Sequence, residues 1–142
     1  IAKYSYVPLL DLTDFYEQVF FSWLVGNNDM HLKNFSLYAP KGKWFLTPAY
    51  DLLNVSMVNP KDTEEMAITL NGRKKRITKS DFVSAMTLSG IAPKVFDNML
   101  EKYRKLLPKF LDMIDMSFLD DERKEGYKQG IISRLERISN QK

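Results

Sequence analysis

From Asp11 and Asp14 onward, apolar side chains recur at intervals of three and four (Phe15, Val19, Phe20, Trp23, Leu24), which is the period of one buried helical face. Gly26-Asn27-Asn28 closes that segment, because glycine and short amides favour the turn and left-handed conformations that end helices. Phe35-Ser36-Leu37-Tyr38 and Trp44-Phe45-Leu46 then read as two short strands joined by an Ala39 to Lys43 loop, with Pro48 ending the second. Met66, Ile68 and Leu70 alternate ahead of Asn71-Gly72, a strong hairpin turn signal, and Arg73 to Arg76 forms the return strand. Thr78 and Asp81 have capping-box spacing, with Ile77 and Phe82 as a hydrophobic staple, so a short helix is expected to about Gly90.

Beyond Pro93, a stripe of Val95, Phe96, Met99, Leu100, Tyr103, Leu106 and Leu107 predicts a longer helix, broken or kinked at Pro108; Phe110, Leu111 and Ile114 continue the period. A last helix follows from Leu119 and from Ile131, Ile132, Leu135 and Ile138, interrupted around Gly126 and Gly130. The whole is an α+β, predominantly helical chain with one or two small β-hairpins. No repeat, low-complexity tract or linker divides it, so residues 1–142 are expected to form a single domain.

Composition narrows the picture. Against 18 Asp and Glu stand 21 Lys and Arg, a net charge of +3 spread along most of the chain, which does not call for nucleic acid as a direct partner. The Arg73 to Arg76 run reads as a solvated, aggregation-resistant edge in preference to a phosphate grip. Phe20, Phe21, Trp23, Trp44 and Phe45 fall at core periods in preference to a stacking platform. With no cysteine, disulfides and thiolate metal sites are excluded. The longest apolar run, Val19 to Val25, is far too short to span a bilayer, and a cytoplasmic domain without membrane contact is expected. At 142 residues and opening on Ile1, the chain is expected to be a fragment of a longer protein.

The chemistry concentrates in Asp29-Met30-His31-Leu32-Lys33-Asn34 and in Asp51, seventeen residues past Asn34. Phosphoryl transfer needs a carboxylate that positions the attacking hydroxyl and oxygen ligands that hold Mg²⁺ against nucleotide phosphates. An Asp and an Asn five residues apart match the protein-kinase catalytic loop, with the base at one end and a metal-binding amide at the other. The intervening hairpin would return the chain so that Asn34 and Asp51 reach one ion. Singly, Asp29, Asn34 and Asp51 read equally well as turn or strand-end residues; it is their order that points to a kinase. His31, the only histidine, excludes a multi-histidine metal site and is as well suited to a structural hydrogen bond as to a phosphate contact. Lys33 is placed to neutralise charge on the transferred phosphate.

Gly26 to Ser36 and Leu46-Thr47-Pro48-Ala49-Tyr50-Asp51-Leu52-Leu53 resemble the HipA-type toxin kinases of bacteria, with the Asn71-Gly72 turn and following helix also similar. The resemblance implies a serine/threonine protein kinase with a helical lower lobe, Asp29 as catalytic base, Asn34 and Asp51 as Mg²⁺ ligands, and His31, Lys33 and Tyr50 near ATP. It also implies a toxin that phosphorylates translation-related proteins, in the setting of bacterial persistence. Its partner would be a helix-turn-helix antitoxin through which any contact with DNA is indirect. The sequence holds no glycine-rich phosphate loop and no nucleotide-anchoring lysine ahead of Asp29, so the chain resembles the C-terminal lobe, with the N-terminal lobe as a partner and no phosphotransfer expected from the chain alone. Phosphoinositide-type lipid kinases and small-molecule phosphotransferases use related Asp-to-Asn loops, and a lone lobe can also serve as a non-enzymatic interaction module.

Overall fold

A computed structural model describes residues 1–57 and 63–140. Helix α1, Pro8–Val25, begins three residues ahead of the expected Asp11 start, because proline supplies a fixed φ and needs no N–H partner in a first turn. Asp11 is therefore inside the helix and buried. Its Oδ2 accepts hydrogen bonds from Ser5 Oγ (2.6 Å) and from the Leu46 N–H (2.8 Å), fastening the hairpin to the first turn of α1. At the other end Gly26 takes φ 81, and the N–H groups of Gly26 and Asn27 return to Trp23 and Ser22 carbonyls.

Strands β1, Leu37–Tyr38, and β2, Phe45–Leu46, are antiparallel, with Leu37 opposite Leu46 and Tyr38 opposite Phe45. The expected first hairpin is thus present, with a 3₁₀ turn at Pro40–Gly42. Trp44 departs from its core expectation at 46% exposure, at a hairpin edge where it pairs with Ser5 and its carbonyl accepts from the Tyr6 N–H. Phe21 and Phe45 are half-buried, whereas Phe20 and Trp23 are fully enclosed.

The second hairpin is reduced to its turn. Asn71 (φ 50) and Gly72 (φ 76) adopt the left-handed pair that such a turn requires, and Leu70 and Arg73 exchange hydrogen bonds of 2.8 and 2.9 Å. No ladder follows, because the Glu65 N–H bonds the Lys74 carbonyl (2.8 Å) and residues 66–69 bow away between the two contacts. Met66 and Leu70 are buried in the helical core, and that burial replaces strand pairing.

Helix α2, Lys79–Leu88, starts with the expected reciprocal box: Thr78 Oγ1 accepts from the Asp81 N–H and Asp81 Oδ2 from the Thr78 N–H. Ile77 and Phe82 beside it are completely buried. Helix α3, Pro93–Asp115, runs through Pro108 without breaking; Pro108 is exposed, so the lost backbone bond falls toward solvent while the apolar stripe stays packed. Helix α4, Asp121–Ser139, is likewise continuous through Gly126 and Gly130, its N-terminus capped by Asp120 and Leu119 left outside. Burial of Ile131, Leu135 and Ile138 outweighs the roughly 1 kcal/mol that each interior glycine costs.

Phe20 is the centre of the core. Its ring meets Phe82, Phe96 and Tyr103 edge-on at centroid distances of 5.4, 5.4 and 5.1 Å, so α1 is gripped by α2 and α3 while α4 closes the remaining side. Among the described residues, no helix is long and apolar enough to cross a membrane.

Candidate active site

The turn ending α1 holds three downstream segments. The Gly26 carbonyl accepts from the Ser56 N–H (3.1 Å), Asn27 Nδ2 donates to the Asp51 carbonyl (3.1 Å), and Asn28 Nδ2 donates to the Glu64 carbonyl (3.3 Å). Glycine is required at 26 on two counts. Its φ is left-handed, and a Cβ there would stand 2.5 Å from Ser56 Oγ and 3.0 Å from Asn54 Oδ1.

Past this turn Asp29 is exposed, while Met30 is buried with its sulfur 2.7 Å from Ser22 Oγ. His31 is extended (φ −110, ψ 176) and leads into a single 3₁₀ turn, Leu32–Asn34. That turn drives Asn34 inward to 6% exposure. Its Oδ1 accepts from the His31 N–H at 2.9 Å, and its Nδ2 donates to Asp51 Oδ2 at 2.6 Å. The amide and the carboxylate expected to share an ion are therefore in direct contact, brought there by the β1–β2 hairpin between them.

Asp51 is held at both ends, with its carbonyl on Asn27 and its carboxylate on Asn34, in a left-handed backbone conformation (φ 57). Beside it the Tyr50 hydroxyl donates to the Lys33 carbonyl (3.0 Å), leaving Ser36 Oγ to donate to Tyr50 (2.7 Å). Tyr50 thus braces the Asp51 loop against the 3₁₀ turn. Lys33 and His31 are exposed and line one wall of a cleft of about 630 Å³, whose other walls are α1, through Phe15 and Tyr16, and the bowed segment Ala67 to Asn71. Asp29, Asn34 and Asp51 lie outside that lining.

Asn34 and Asp51 offer hard oxygen donors, and Asn34 Oδ1 keeps a lone pair beyond its bond to His31. Among the described residues no cluster of three carboxylate or imidazole side chains exists. Two protein oxygens suit Mg²⁺, which keeps waters and takes substrate phosphates as its remaining ligands. The residues present fit that ion.

Glu65 anchors the segment that forms the far wall. Its carboxylate receives both Arg137 Nη atoms (2.9 and 2.8 Å), Trp23 Nε1 (3.0 Å) and the Ile77 N–H (3.1 Å), joining α1 and α4 to the residues that lead into α2. Burial alone would raise its pKa, but these hydrogen bonds together hold the carboxyl below the ordinary glutamate value. Sequence reasoning singles out neither Glu65 nor the linking roles of Asn27, Asn28, Ser36 and Ser56. Every one of these contacts spans at least twelve residues, and no local pattern marks them.

A helical body whose central helix delivers an Asp-to-Asn loop, followed by a hairpin and a second aspartate, defines the C-terminal lobe of a protein-kinase-like fold. The family described as HipA-like C-terminal domain matches residues 2–111, and the chain belongs to that family. It is 28% identical over 102 residues, 70% of its length, to a Sinorhizobium fredii protein named "Putative kinase Y4dM", and 41% identical over 57 residues, 39% of its length, to a Haemophilus influenzae protein named "Putative kinase". Among solved structures it superposes with TM-score 0.76 on a chain of the Shewanella oneidensis MR-1 toxin–antitoxin complex of HipA, HipB and operator DNA. That match is 24% identical and covers 90% of this chain. The chain spans 24% and 17% of the two curated relatives and 32% of the solved chain.

Proposed function

We propose that this chain is the catalytic-loop lobe of a HipA-like serine/threonine protein kinase that transfers the γ-phosphate of ATP to a protein hydroxyl. In this reading it works in the cytoplasm as the toxin of a toxin–antitoxin pair, beside a helix-turn-helix antitoxin. The observation that carries the reading is the 2.6 Å contact between Asn34 and Asp51, which joins two segments distant in sequence just past an exposed Asp29. Asp29 accepts or orients the acceptor hydroxyl, and Lys33 offers positive charge to the phosphoryl group in transit. Asn34 and Asp51 are the Mg²⁺ ligands, while His31 and Tyr50 shape the loop, one through its N–H and the other through its hydroxyl. Bound Mg²⁺ would supply charge neutralisation and alignment of the nucleotide phosphates. Groups that cover those phosphates are not found in these 142 residues, so an N-terminal kinase lobe completes the site. The kinase names of the two relatives, and the toxin–antitoxin assembly in which the Shewanella oneidensis HipA was solved, support this reading.

The test uses the lobe together with its N-terminal partner lobe. Asp29→Asn, nearly the same shape without the negative charge, should lower phosphotransfer by about 10²- to 10⁴-fold while ATP affinity stays within about twofold. Wild-type turnover by the variant would remove Asp29 from the reaction.

A further inference from the structure

Arg73-Lys74-Lys75-Arg76 is a concentrated block of positive charge that the proposed transfer reaction does not use. Two of its members have acidic partners: Lys74 Nζ lies 3.1 Å from Glu64 Oε2, and Arg73 Nε lies 3.7 Å from Asp81 Oδ1. Lys75 and Arg76 pair with no carboxylate among the described residues. Lys75 Nζ instead donates to a neutral oxygen, Thr63 Oγ1, at 2.6 Å. Thr63 is exposed, as are Lys75 and Arg76.

The position of this threonine matters as much as its neighbours. The adjacent Glu64 carbonyl is held by Asn28 Nδ2, one residue before Asp29, so Thr63 belongs to a segment tethered to the catalytic loop. The bond from the Glu65 N–H to the Lys74 carbonyl keeps that segment alongside the basic run. An exposed hydroxyl and an ammonium already directed at its oxygen, with exposed Arg76 the next residue along the basic run, offer positive charge to a dianion attached at Oγ1.

We propose that Thr63 is a phosphoacceptor and that Lys75 and Arg76 hold the phosphate once it is installed. The inference rests on the kinase reading, since the site around Asp29 is the transferase and ATP the donor. Thr63 Oγ1 attacks the γ-phosphorus, and an O–P bond forms as the bond from that phosphorus to the β–γ bridging oxygen breaks. ADP departs with the bridging oxygen, and the hydroxyl proton passes to the Asp29 carboxylate and then to water. The phosphothreonine carries a charge of about −1.5 to −2 and three acceptor oxygens, enough for charge-assisted bonds to both cations. Those bonds would fasten residues 63–65 to the basic run and stiffen Ala67 to Asn71, the far wall of the cleft.

Two measurements on the protein test this. First, the lobe with its N-terminal partner is incubated with ATP and Mg²⁺, with and without myelin basic protein as a generic acceptor, and phosphosites are mapped by mass spectrometry in wild-type, Thr63→Ala and Asp29→Asn forms. Thr63 phosphate in the wild type and its loss in Asp29→Asn are expected. Transfer to the added acceptor or to other residues with Thr63 unmodified overturns the site and leaves the kinase reading standing; no transfer to any acceptor overturns both. Second, phosphothreonine is encoded at position 63 in this chain, with and without Lys75→Ala and Arg76→Ala. The modification should raise Tm by about 3–6 °C, and the double substitution should abolish the rise. A rise unaffected by the double substitution, or no rise, overturns the role of Lys75 and Arg76 whatever the first measurement gives.

Discussion

Replacing Glu65 should weaken the lobe more than any other single change to a charged group outside the Asp29 to Asn34 loop. The carboxylate accepts four hydrogen bonds, two from Arg137 and one each from Trp23 and Ile77, and its side chain is 20% exposed. Glu65→Ala strands the indole N–H of a core tryptophan and the backbone N–H of a fully buried isoleucine, each worth about 1 kcal/mol. It also leaves the Arg137 guanidinium, over the Trp23 ring at 5.3 Å, without its counter-charge. At 38% exposure Arg137 recovers part of its hydration, so the pair adds about 1 kcal/mol and not the several expected of a buried pair. The sum is about 3 kcal/mol, or a fall in Tm of about 10 °C for a domain of this size.

Glu65→Gln keeps an acceptor oxygen and the volume, and should cost about half as much. Because the folded pKa of Glu65 is lowered, its stabilisation is fully present above the unfolded value and is lost as pH falls through the folded one. The stability gap between wild type and Glu65→Gln should therefore be constant above about pH 5 and close below about pH 4. Urea unfolding followed by tryptophan fluorescence across that range measures both quantities. A loss under about 1 kcal/mol for Glu65→Ala, or a gap unchanged at about pH 3, would refute the reasoning.

Gly26→Ala adds a Cβ at left-handed φ, 2.5 Å from Ser56 Oγ, and should cost about 2 kcal/mol in thermal unfolding, with Ser56→Ala in the same chain recovering part of it. Asn27→Ala removes the donor to the Asp51 carbonyl without touching either proposed Mg²⁺ ligand, so with the N-terminal lobe present the KM for Mg²⁺-ATP should rise while the isolated lobe loses about 1 kcal/mol by chemical denaturation. Asp51→Asn tolerates the left-handed backbone but removes the anionic ligand, so nucleotide affinity measured by calorimetry should lose most of its Mg²⁺ dependence; an unchanged dependence removes Asp51 from the metal site.

What is legible in the sequence is local. The Thr78/Asp81 box, the Asn71-Gly72 turn and the β1–β2 hairpin are each determined within a few residues by side-chain reach or backbone preference, and each is present. The ladder beyond Asn71-Gly72 fails because the path of Met66 and Leu70 is decided by the core of α1 and α2, which no neighbouring residue encodes. Pro108, Gly126 and Gly130 read as breaks because their intrinsic cost is visible in the sequence, while the burial that outweighs it depends on helices distant along the chain. Asp11 shows the same limit in reverse. In the sequence it reads only as the opening of a helix, and its function as the tie to Leu46 exists only once the hairpin has folded back.

That limit also explains how the site can be organised by a turn as plain as Gly26-Asn27-Asn28. Three bonds that it makes downstream to described residues go to backbone groups: the N–H of Ser56 and the carbonyls of Asp51 and Glu64. Backbone partners place no demand on the side chains at those positions, so the turn fixes the course of three segments while leaving the Asp51 carboxylate for Asn34. The one side-chain demand runs the other way, from Asn54 and Ser56 onto Gly26, where any Cβ would collide. Holding Asp51 at positive φ costs about 1 kcal/mol, which the bonds from Asn27 and Asn34 are sufficient to offset. The carboxylate is consequently aimed by the end of a buried helix, and the same core that stabilises α1 sets where the Asn34 and Asp51 oxygens point.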